Sequence, residues 1–590
     1  MSGRIAPADW VPQGGLTLEP TARTVTTSVT SASVVAGPGA GKTELLAQRA
    51  CYLLQTGTCP SPKRILAISF KRDASRTLGN RVELRARELS ARFESYTFDA
   101  FAKGLIDRFL ACIPEYLRPP ADYKIVPWSK RDIDEYLRTV RPPKALGSTY
   151  DLVALKGDQF MRDTVVGRRL PVTPKAPINA VEWAATELWT DSIKHGRLTF
   201  PMLGRLAELL LRAAPQVRNA LRQTYAFVLL DEFQDTTHVQ YDLTHTAFHG
   251  SSAVLTAVGD HKQRIMGWAM ALDDAFGRFE HDFKAPRHPL LMNYRSAPEL
   301  VRIQQVMIEA LDPGGAQPQP APHLKDAKGS AEVLVSPDHE TEARFVADEI
   351  RRFLADEGLS PRDICVLTKQ KPDIYAQAIQ EALAALGTKA RIENDFQDLL
   401  AEPVTDLVLA YLQLATRERS PKAWTATVEF ACVAKGINPH GRDARRVERS
   451  ITTNIAKLQK MLTTYPSVEK DVRAVIERVL RFLDVTAVKQ SHLQYRHGTL
   501  FDETIERLGH LLWLSVEREA TWTAALDDFI GVDAVPVMTI HKSKGLEYHT
   551  IVFVGLEDSA FWSFATQAHE DTCAFFVAFY PRQKPRPIHL

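Results

Sequence analysis

The stretch AGPGAGKT, residues 36–43, constrains the fold more than any other part of the sequence. A strand-like run, SVV, precedes it, and a helical pattern, TELLAQRACYLL, follows it. Glycines let the backbone curl so that its N–H groups face phosphate oxygens, and the helix N-terminus adds a favourable dipole. Ala36 stands in the first place of the strict G-x-x-x-x-G-K-[ST] pattern, which leaves a fortuitous glycine turn as the alternative. The predicted phosphate-binding residues are Gly37, Gly39, Gly41, Lys42 and Thr43.

Lys42 is expected to reach the β- and γ-phosphates, and the Thr43 hydroxyl to bind Mg²⁺. The matching carboxylates are in LLDEFQD, where Asp231 and Glu232 follow an apolar run. We expect Asp231 to hold Mg²⁺ directly or through water, and Glu232 to orient or deprotonate an attacking water. Without a phosphate loop, the same acids would be interpreted as a helix cap. Together the two motifs predict a nucleoside triphosphatase.

Four apolar runs in the first half of the chain each stop at polar residues, as in SVVAGPGAGKT, RILAISF, AFVLLDEFQD and AVLTAVGDHKQ. Such short runs between helical patterns predict buried strands of a parallel sheet with crossover helices. Ligands of α/β proteins bind at the carboxyl ends of these strands. The predicted fold class is therefore α/β, with the nucleotide at the strand ends.

A second α/β domain is predicted after the Pro/Gly-rich linker at residues 311–330. Its expected strands are AEVLV, DICVLTK, PVMTI and TIVFVGL, and its first helix places Val346, Ile350 and Phe353 on one face. Two stretches without strand rhythm, residues 102–224 and 401–530, are expected to be mainly helical insertions. A length of 590 residues fits several domains.

Composition excludes several classes of protein. Six cysteines in no C-x-x-C pair indicate neither a disulfide framework nor an iron–sulfur site. No run of 18 apolar residues occurs, and the N-terminus has no long apolar segment. We therefore expect a soluble, cytoplasmic protein. The formal net charge of +2 neither requires nor excludes a polyanionic partner.

Six further stretches, in order along the chain, resemble the superfamily 1A helicases of the UvrD/Rep/PcrA type. They are ILAISFKRDASRTLGNRV, YTFDAFAKGLIDRF, LLDEFQDTT, VGDHKQRIMGW, LMNYRS and MTIHKSKGLEYHTIVFVGL. The resemblance implies two RecA-like P-loop domains, each interrupted by a helical insertion. The expected boundaries are 1–101 with 220–300 for domain 1A, 102–219 for 1B, 301–400 with 531–590 for 2A, and 401–530 for 2B.

The same resemblance assigns nucleotide-site residues by position and implies ATP and Mg²⁺ as cofactors. Gln263 matches the glutamine that senses the γ-phosphate. Arg295 matches an arginine that reaches this phosphate from the edge of the second α/β domain, and Glu547 matches a residue that contacts the ribose. Without the resemblance, each would be interpreted as a solvated surface residue.

The family also implies single-stranded and tailed duplex DNA as partners. Phe70 and Trp268 occupy its base-stacking positions, and His541 occupies another DNA-contacting position. Stacking on a ring tolerates any base and contributes about 1–3 kcal/mol per base. Core packing is the alternative for both aromatic residues, and His541 could instead cap a helix or lie in a core.

The sequence departs from the family pattern in three places before its end. Residues 266–271 read MGWAMA, without the aromatic residue and Arg-Gly pair usual in the third motif. Asp99 replaces a histidine. Gln13, the only glutamine upstream of the phosphate loop, lies 23 residues before Ala36, so adenine selectivity is not implied as strongly as phosphate chemistry.

The last stretch, FFVAFYPRQKPRPIHL, is a strand-like run followed by a basic tail. Val577 and Ala578 match the opening of the family's last motif, and the acids at residues 570–571 match those upstream of it. Pro581 stands where the family has an arginine finger, and Arg582 comes one residue later. The alternatives are that Arg582 reaches the γ-phosphate or that this terminus is replaced.

The leading interpretation is an ATP-dependent 3′-to-5′ DNA helicase or single-stranded DNA translocase, with the polarity implied by the resemblance. A DNA-sensing ATPase switch that regulates a partner without unwinding is the alternative, and a P-loop kinase is a third possibility. We expect any nuclease acting with this protein, in DNA repair or phage defence, to be a separate chain.

Overall fold

The computed structural model describes residues 4–126, 128–267, 270–439, 441–496, 498–557, 560–561 and 564–579. The described residues form two compact units. The first extends to Gly329 and includes Gly498 and Thr499; the second comprises Ser330 to Arg496 and the residues from Leu500 onward.

The first unit is built on a six-stranded parallel sheet. The strands of this unit are β1 (Ala32–Ala36), β2 (Arg64–Ser69), β3 (Phe93–Thr97), β4 (Lys124–Ile125), β5 (Arg197–Leu198), β6 (Tyr225–Leu230), β7 (Val254–Gly259), β8 (Arg287–Leu290), β9 (Met292–Asn293) and β10 (Gln319–Pro320). The sheet order is β3-β2-β6-β7-β1-β8, and β4 pairs with β5 and β9 with β10. The four predicted strands are therefore adjacent and parallel, as expected, whereas β3 and β8 were not predicted.

Helices cover this sheet on both faces. The helices of this unit are Pro20–Thr27, Lys42–Gln55, Arg72–Arg85, Phe98–Phe109, Lys130–Thr139, Thr149–Val153, Gly157–Phe160, Ala180–Lys194, Phe200–Ala213, Pro215–Thr224, His238–Phe248, Ala275–Phe283 and Pro298–Leu311. Alternate residues of one strand enter different cores: Leu66 and Ile68 of β2 pack in one, and Ile65 and Ala67 in the other. Burial on both faces explains why these strands are continuously apolar.

The second unit contains a four-stranded parallel sheet of order β12-β13-β11-β14. Its strands are β11 (Ile364–Thr368), β12 (Lys389–Ile392), β13 (Ala534–Thr539) and β14 (Thr550–Phe553). Its helices are His339–Asp356, Pro372–Tyr375, Gln377–Ala385, Asn394–Leu400, Pro403–Thr416, Pro421–Ala434, Ala444–Leu462, Glu469–Leu483, Val485–Ser491, Leu500–Arg518, Trp522–Ile530, Ile540–Ser543 and Phe564–Ala578. In the first of these helices Val346 and Ile350 are buried in the core of the unit, and Phe353 packs against it.

Two predicted strands of this unit are wrong. AEVLV forms no strand within the described chain, and its Val333 and Val335 side chains are 83% and 93% exposed. A β-branched sequence becomes a strand only where a neighbouring strand supplies a ladder of hydrogen bonds and packing. The apolar run before the C-terminal tail lies in the helix Phe564–Ala578, where Cys573, Phe576 and Val577 are buried at helical spacing. A short apolar run does not distinguish helix from strand.

Among the described residues, no single helix is both long and apolar enough to cross a membrane. One bent pair, Asn394–Leu400 with Pro403–Thr416, passes on length and composition alone, with an angle of 86° between its helices.

Candidate active site

The phosphate loop connects β1 to the helix Lys42–Gln55. Gly39 and Gly41 have left-handed backbone angles, with φ of 67° and 74°, which glycine adopts without steric cost. Gly39 also needs its small size, because a Cβ atom there would lie 2.2 Å from Asn293 Oδ1 and 2.8 Å from Arg295 Cβ. The loop is therefore packed directly against the segment Asn293–Ser296.

This packing places Arg295 beside the phosphate loop, in the first unit and not at the edge of the second α/β domain as we expected. The Tyr294 N–H donates to Gly39 O at 2.9 Å. Asn293 Oδ1 accepts from the N–H groups of Arg295 and Ser296 at 2.8 and 2.9 Å. These hydrogen bonds fix the backbone from which the Arg295 side chain extends.

Lys42 follows β1 and Asp231 follows β6, and β7 lies between these two strands in the sheet. Lys42 Nζ is 3.5 Å from Ala36 O, so the ammonium group lies over the loop. The Asp231 N–H donates to Ile68 O at 2.9 Å, and Asp231 Oδ1 accepts from the Glu232 N–H at 3.0 Å. Among the described residues, no group is hydrogen-bonded to Asp231 Oδ2, which is buried.

Burial is the main cause that raises the pKa of Asp231 above its ordinary value, and the Glu232 carboxylate adds to this effect. The Lys42 ammonium group acts in the opposite direction. A buried carboxylate with an unpaired oxygen is costly unless a cation or a proton compensates it. Asp231 is therefore suited to bind a cation.

Glu232 is in a left-handed backbone conformation, with φ 51° and ψ 44°. Such a conformation costs a non-glycine residue about 1–3 kcal/mol, and it occurs often at functional sites. Gln234 Nε2 donates to Glu232 Oε2 at 2.6 Å, and Gln234 Oε1 accepts from the Asp260 N–H at 2.9 Å. The loops after β6 and β7 are thus joined through one side chain.

Gln263 is nearly buried in the loop after β7. Its Nε2 donates to Asp260 Oδ2 at 3.0 Å, while Lys262 Nζ lies 3.1 Å from Asp260 Oδ1. Although burial acts in the opposite direction, the positive charges of Lys262 and Lys42 hold the pKa of Asp260 below its usual value. Asp260 is therefore an ionised carboxylate that holds Gln263 at the ends of the strands.

The predicted DNA-contacting residues are in both units. Phe70 follows β2 and is partly exposed, and His541 is partly exposed in the short helix Ile540–Ser543 of the second unit. Glu547, predicted to contact the ribose, is exposed in the loop that follows. Trp268 and Arg582 lie outside the described residues.

The sequence reasoning missed the two residues that hold the site together. Gln234 lies in the quoted string LLDEFQD, only two residues after Glu232, but an amide carries no signal of its own in sequence. Asn293 lies in LMNYRS and was passed over in favour of its charged neighbour. The glycine at position 39 and the asparagine that excludes any Cβ there are 254 residues apart, so only the structure connects them.

A glycine-rich loop after β1, a buried carboxylate after β6 and a second acid beside it are the features of the class of P-loop nucleoside triphosphatases. Two family models match the chain. The UvrD/REP helicase N-terminal domain matches residues 18–144 and 169–284, and the UvrD-like helicase C-terminal domain matches residues 289–471 and 431–584. The chain therefore belongs to the UvrD-like helicase family; its parallel sheets are RecA-like, and it is an enzyme of the helicase class.

Similar proteins cover most of the chain at low identity. DNA helicase II of Escherichia coli (strain K12) is 23% identical over 599 aligned residues, which cover 90% of this chain and 77% of that protein. The ATP-dependent DNA helicase PcrA of Bacillus subtilis (strain 168) is 22% identical over 599 aligned residues, covering 90% and 76%. The PcrA protein of Leuconostoc citreum is 23% identical over 586 residues, covering 90% and 75%.

Proposed function

We propose that the protein is an ATP-dependent 3′-to-5′ DNA helicase or single-stranded DNA translocase that couples ATP hydrolysis to movement on DNA. The observation that supports this most directly is the convergence of Lys42, Asp231, Glu232 and the Asp260–Gln263 loop at adjacent strand ends of one sheet. Similarity to proteins named DNA helicase supports DNA as the polymer on which it acts.

The following roles are proposed for the residues of the nucleotide site. Gly37, Gly39 and Gly41 shape the loop whose N–H groups bind phosphate oxygens, and Lys42 neutralises the β- and γ-phosphates. Gln263 and Arg295 contact the γ-phosphate, and Glu232 orients or deprotonates the attacking water. Glu547 contacts the ribose. The proposed arginine finger, Arg582, lies outside the described residues.

Thr43 and Asp231 are the residues proposed to hold Mg²⁺. The buried Oδ2 atom of Asp231, which has no hydrogen-bond partner in the described part of the chain, fits this assignment, since a hard cation prefers carboxylate and hydroxyl oxygens. When bound, the cation neutralises charge on the phosphates that develops during phosphoryl transfer.

DNA binding is proposed for Phe70, Trp268 and His541, through stacking on the aromatic rings and contacts from the histidine. Single-stranded DNA and tailed duplexes are the proposed substrates. Each nucleotide state has to bind DNA with a different affinity, because hydrolysis otherwise produces no directional movement. A nuclease or another repair or phage-defence protein is the proposed partner class, and the proposed location is the cytoplasm.

A second candidate is a DNA-sensing ATPase switch that regulates a partner without unwinding. The segment after Gln263 favours it, because the usual aromatic residue and Arg-Gly pair are replaced. Ala271 is 6% exposed, and Arg264 donates to Ala271 O and Leu272 O at 2.9 and 2.8 Å. No side chain in residues 266–271, MGWAMA, is charged, so none of them can form an ion pair with a phosphate.

One set of assays separates these functions. ATP hydrolysis is measured with and without single-stranded DNA, together with unwinding of a 3′-tailed duplex, for the wild type and Lys42→Ala. We expect DNA to stimulate hydrolysis, the tailed duplex to be separated, and Lys42→Ala to abolish both. Stimulated hydrolysis with neither unwinding nor movement would favour the switch, and hydrolysis indifferent to DNA would contradict both proposals.

A further inference from the structure

The Gln234 side chain occupies a site with one acceptor and one donor. It is 1% exposed, with Nε2 against Glu232 Oε2 and Oε1 against the Asp260 N–H. A backbone N–H can only donate, and an ionised carboxylate can only accept. Both contacts are therefore satisfied by one orientation of the amide, and neither a leucine nor a glutamate satisfies both.

The space for this amide is provided by a glycine on the neighbouring strand. A Cβ atom at Gly259 would lie 2.1 Å from Gln234 Oε1, 3.0 Å from Phe233 N and 3.1 Å from Phe276 Cζ. Gly259 is the last residue of β7 and pairs with Val35, just before the phosphate loop. Its backbone does not require the left-handed region, so the need for glycine is explained by the Gln234 amide and its surroundings.

Glu232 needs the hydrogen bond from Gln234 for two reasons. Its left-handed backbone persists only if neighbouring groups hold it. Its carboxylate is partly exposed, and a partly exposed side chain samples several rotamers unless a hydrogen bond selects one. Gln234 supplies that hydrogen bond from a buried, fixed position.

We propose that Gln234 is a positioning residue for ATP hydrolysis: it holds the Glu232 carboxylate toward the attacking water and links it to the loop that carries Gln263. This rests on the proposed role of Glu232. The linkage is continuous, because Gln234 binds the Asp260 N–H and Asp260 Oδ2 binds Gln263 Nε2. A shift of Gln263 on contact with the γ-phosphate is transmitted to Glu232 through these hydrogen bonds.

The test compares Gln234→Leu, Gln234→Glu and the control Gln240→Leu. Gln240 accepts a hydrogen bond from the Thr237 N–H at the start of a neighbouring helix and belongs to no part of the proposed site. We expect Gln234→Leu to lower kcat about 10- to 100-fold, because misplacing a catalytic group by about 1 Å costs a factor of this size. The KM for ATP and the affinity for a non-hydrolysable ATP analogue should change less than threefold, and Gln240→Leu should keep the wild-type kcat.

Gln234→Glu gives a signature that a purely structural role would not produce. The glutamate keeps the length of the side chain but has no N–H group to donate to Glu232, so kcat should fall as in Gln234→Leu while the KM for ATP stays within threefold of the wild type. Gly259→Ala should lower kcat in the same way as Gln234→Leu, because its methyl group displaces the amide. These variants keep the proposal testable if Gln234→Leu folds poorly.

A double variant separates this proposal from the function on which it rests. If Gln234 acts through Glu232, adding Gln234→Leu to Glu232→Gln should cause little further loss of kcat. A full additional loss in the double variant, or a wild-type kcat for Gln234→Leu, would overturn the positioning role. Undiminished hydrolysis in Glu232→Gln alone would instead show that the proposed catalytic site is wrong.

Discussion

The acids that follow β6 and β7 of the first unit contrast with the lysines that follow β11 and β13 of the second. In the first unit, Asp231 and Glu232 follow β6 and Asp260 follows β7. In the second unit, Lys369 follows β11 and Lys542 lies in the short helix after β13. The acids of the first unit are joined to one another by hydrogen bonds of the strand-end loops, whereas each lysine of the second forms an ion pair with a helix.

The two arrangements differ in how their charged side chains are compensated. Asp231 and Asp260 are nearly inaccessible, so each depends on a nearby lysine or on a ligand for compensation. In the second unit, Lys369 is 2.8 Å from Asp571 and Lys542 is 2.7 Å from Asp398. The first of these pairs is buried and the second is largely exposed. We therefore expect substitutions to affect catalysis in the first unit, and stability or DNA affinity in the second.

Glu232→Gln should have the largest effect. The amide keeps the shape and the contact region of the side chain but cannot accept a proton, so kcat for ATP hydrolysis should fall about 10²- to 10⁴-fold. Affinity for a non-hydrolysable ATP analogue should stay within threefold of the wild type. Steady-state hydrolysis and equilibrium binding are the measurements, with the exposed Glu135→Gln as the control. If kcat falls threefold or less, the expectation that substitutions at these acids of the first unit affect catalysis is contradicted.

In the first unit, the strands that precede Lys42 and Asp231 were more predictable from sequence than the edge strands of the sheet. Lys42 and Asp231 could be assigned because strands β1 and β6 end in motifs that place ligands at a sheet edge. The edge strands β3 and β8 carry polar residues in FESYT and RHPL, so they lack the apolar run that marks a buried strand.

Other features depend on contacts between residues far apart in the chain. Gln234 acquires its role from Asp260 and from the space above Gly259, neither of which is visible in a local pattern. In the second unit, the partner of Lys369 is Asp571, in the helix Phe564–Ala578, of which only the last residues were predicted, and as a strand-like run. The ion pair between Lys369 and Asp571 could not be predicted, because the end of that segment was predicted as a strand and forms a helix.

Asp571→Asn should destabilise the second unit by about 3–5 kcal/mol, because it leaves the buried Lys369 ammonium group without its carboxylate. Lys369 also lies 4.4 Å from the centre of the Phe561 ring, a contact that does not replace a full negative charge. The midpoint of thermal unfolding, followed by calorimetry, should fall by several degrees.

The control for this prediction is Glu477→Gln, which removes an exposed ion pair with Arg481 on the Glu469–Leu483 helix and should change stability by less than about 1 kcal/mol. Replacing both partners, as Lys369→Met with Asp571→Leu, should restore much of the loss, since no buried charge remains. If the double variant is as unstable as Asp571→Asn, the ion pair is not the cause.

A substitution at Asp99, which follows β3, shows whether the charge of an acid at a strand end lowers the stability of the first unit. Burial raises the pKa of Asp99 from 3.8 to about 6, although the Arg72 charge lowers it. Between these two values the folded protein binds more protons than the unfolded chain, so stability decreases as pH rises from about 4 to 6. Above pH 6 the full cost of the desolvated charge is present.

Asp99→Asn should therefore raise the free energy of unfolding at pH 7.5 by about 1–3 kcal/mol and have little effect at pH 4. Chemical denaturation at both values measures this difference, and the exposed Asp122→Asn should show no such dependence on pH. An equal effect of Asp99→Asn at both pH values would mean that the Asp99 charge does not cause the change in the free energy of unfolding.

Asp398→Asn should have the smallest effect, because the Lys542–Asp398 pair is largely exposed to solvent. Lys542 lies next to His541, so a DNA phosphate in contact with this segment competes with the Asp398 carboxylate for the ammonium group. Removing the carboxylate should tighten binding of single-stranded DNA about two- to fivefold at low salt, and the gain should shrink as salt is raised. Asp395→Asn is the matched control, since Asp395 is on the same helix but pairs with Arg507. Equal effects of the two substitutions would indicate a general change in charge, whereas an effect of Asp398→Asn alone would show that the second unit restrains its own DNA-binding cation.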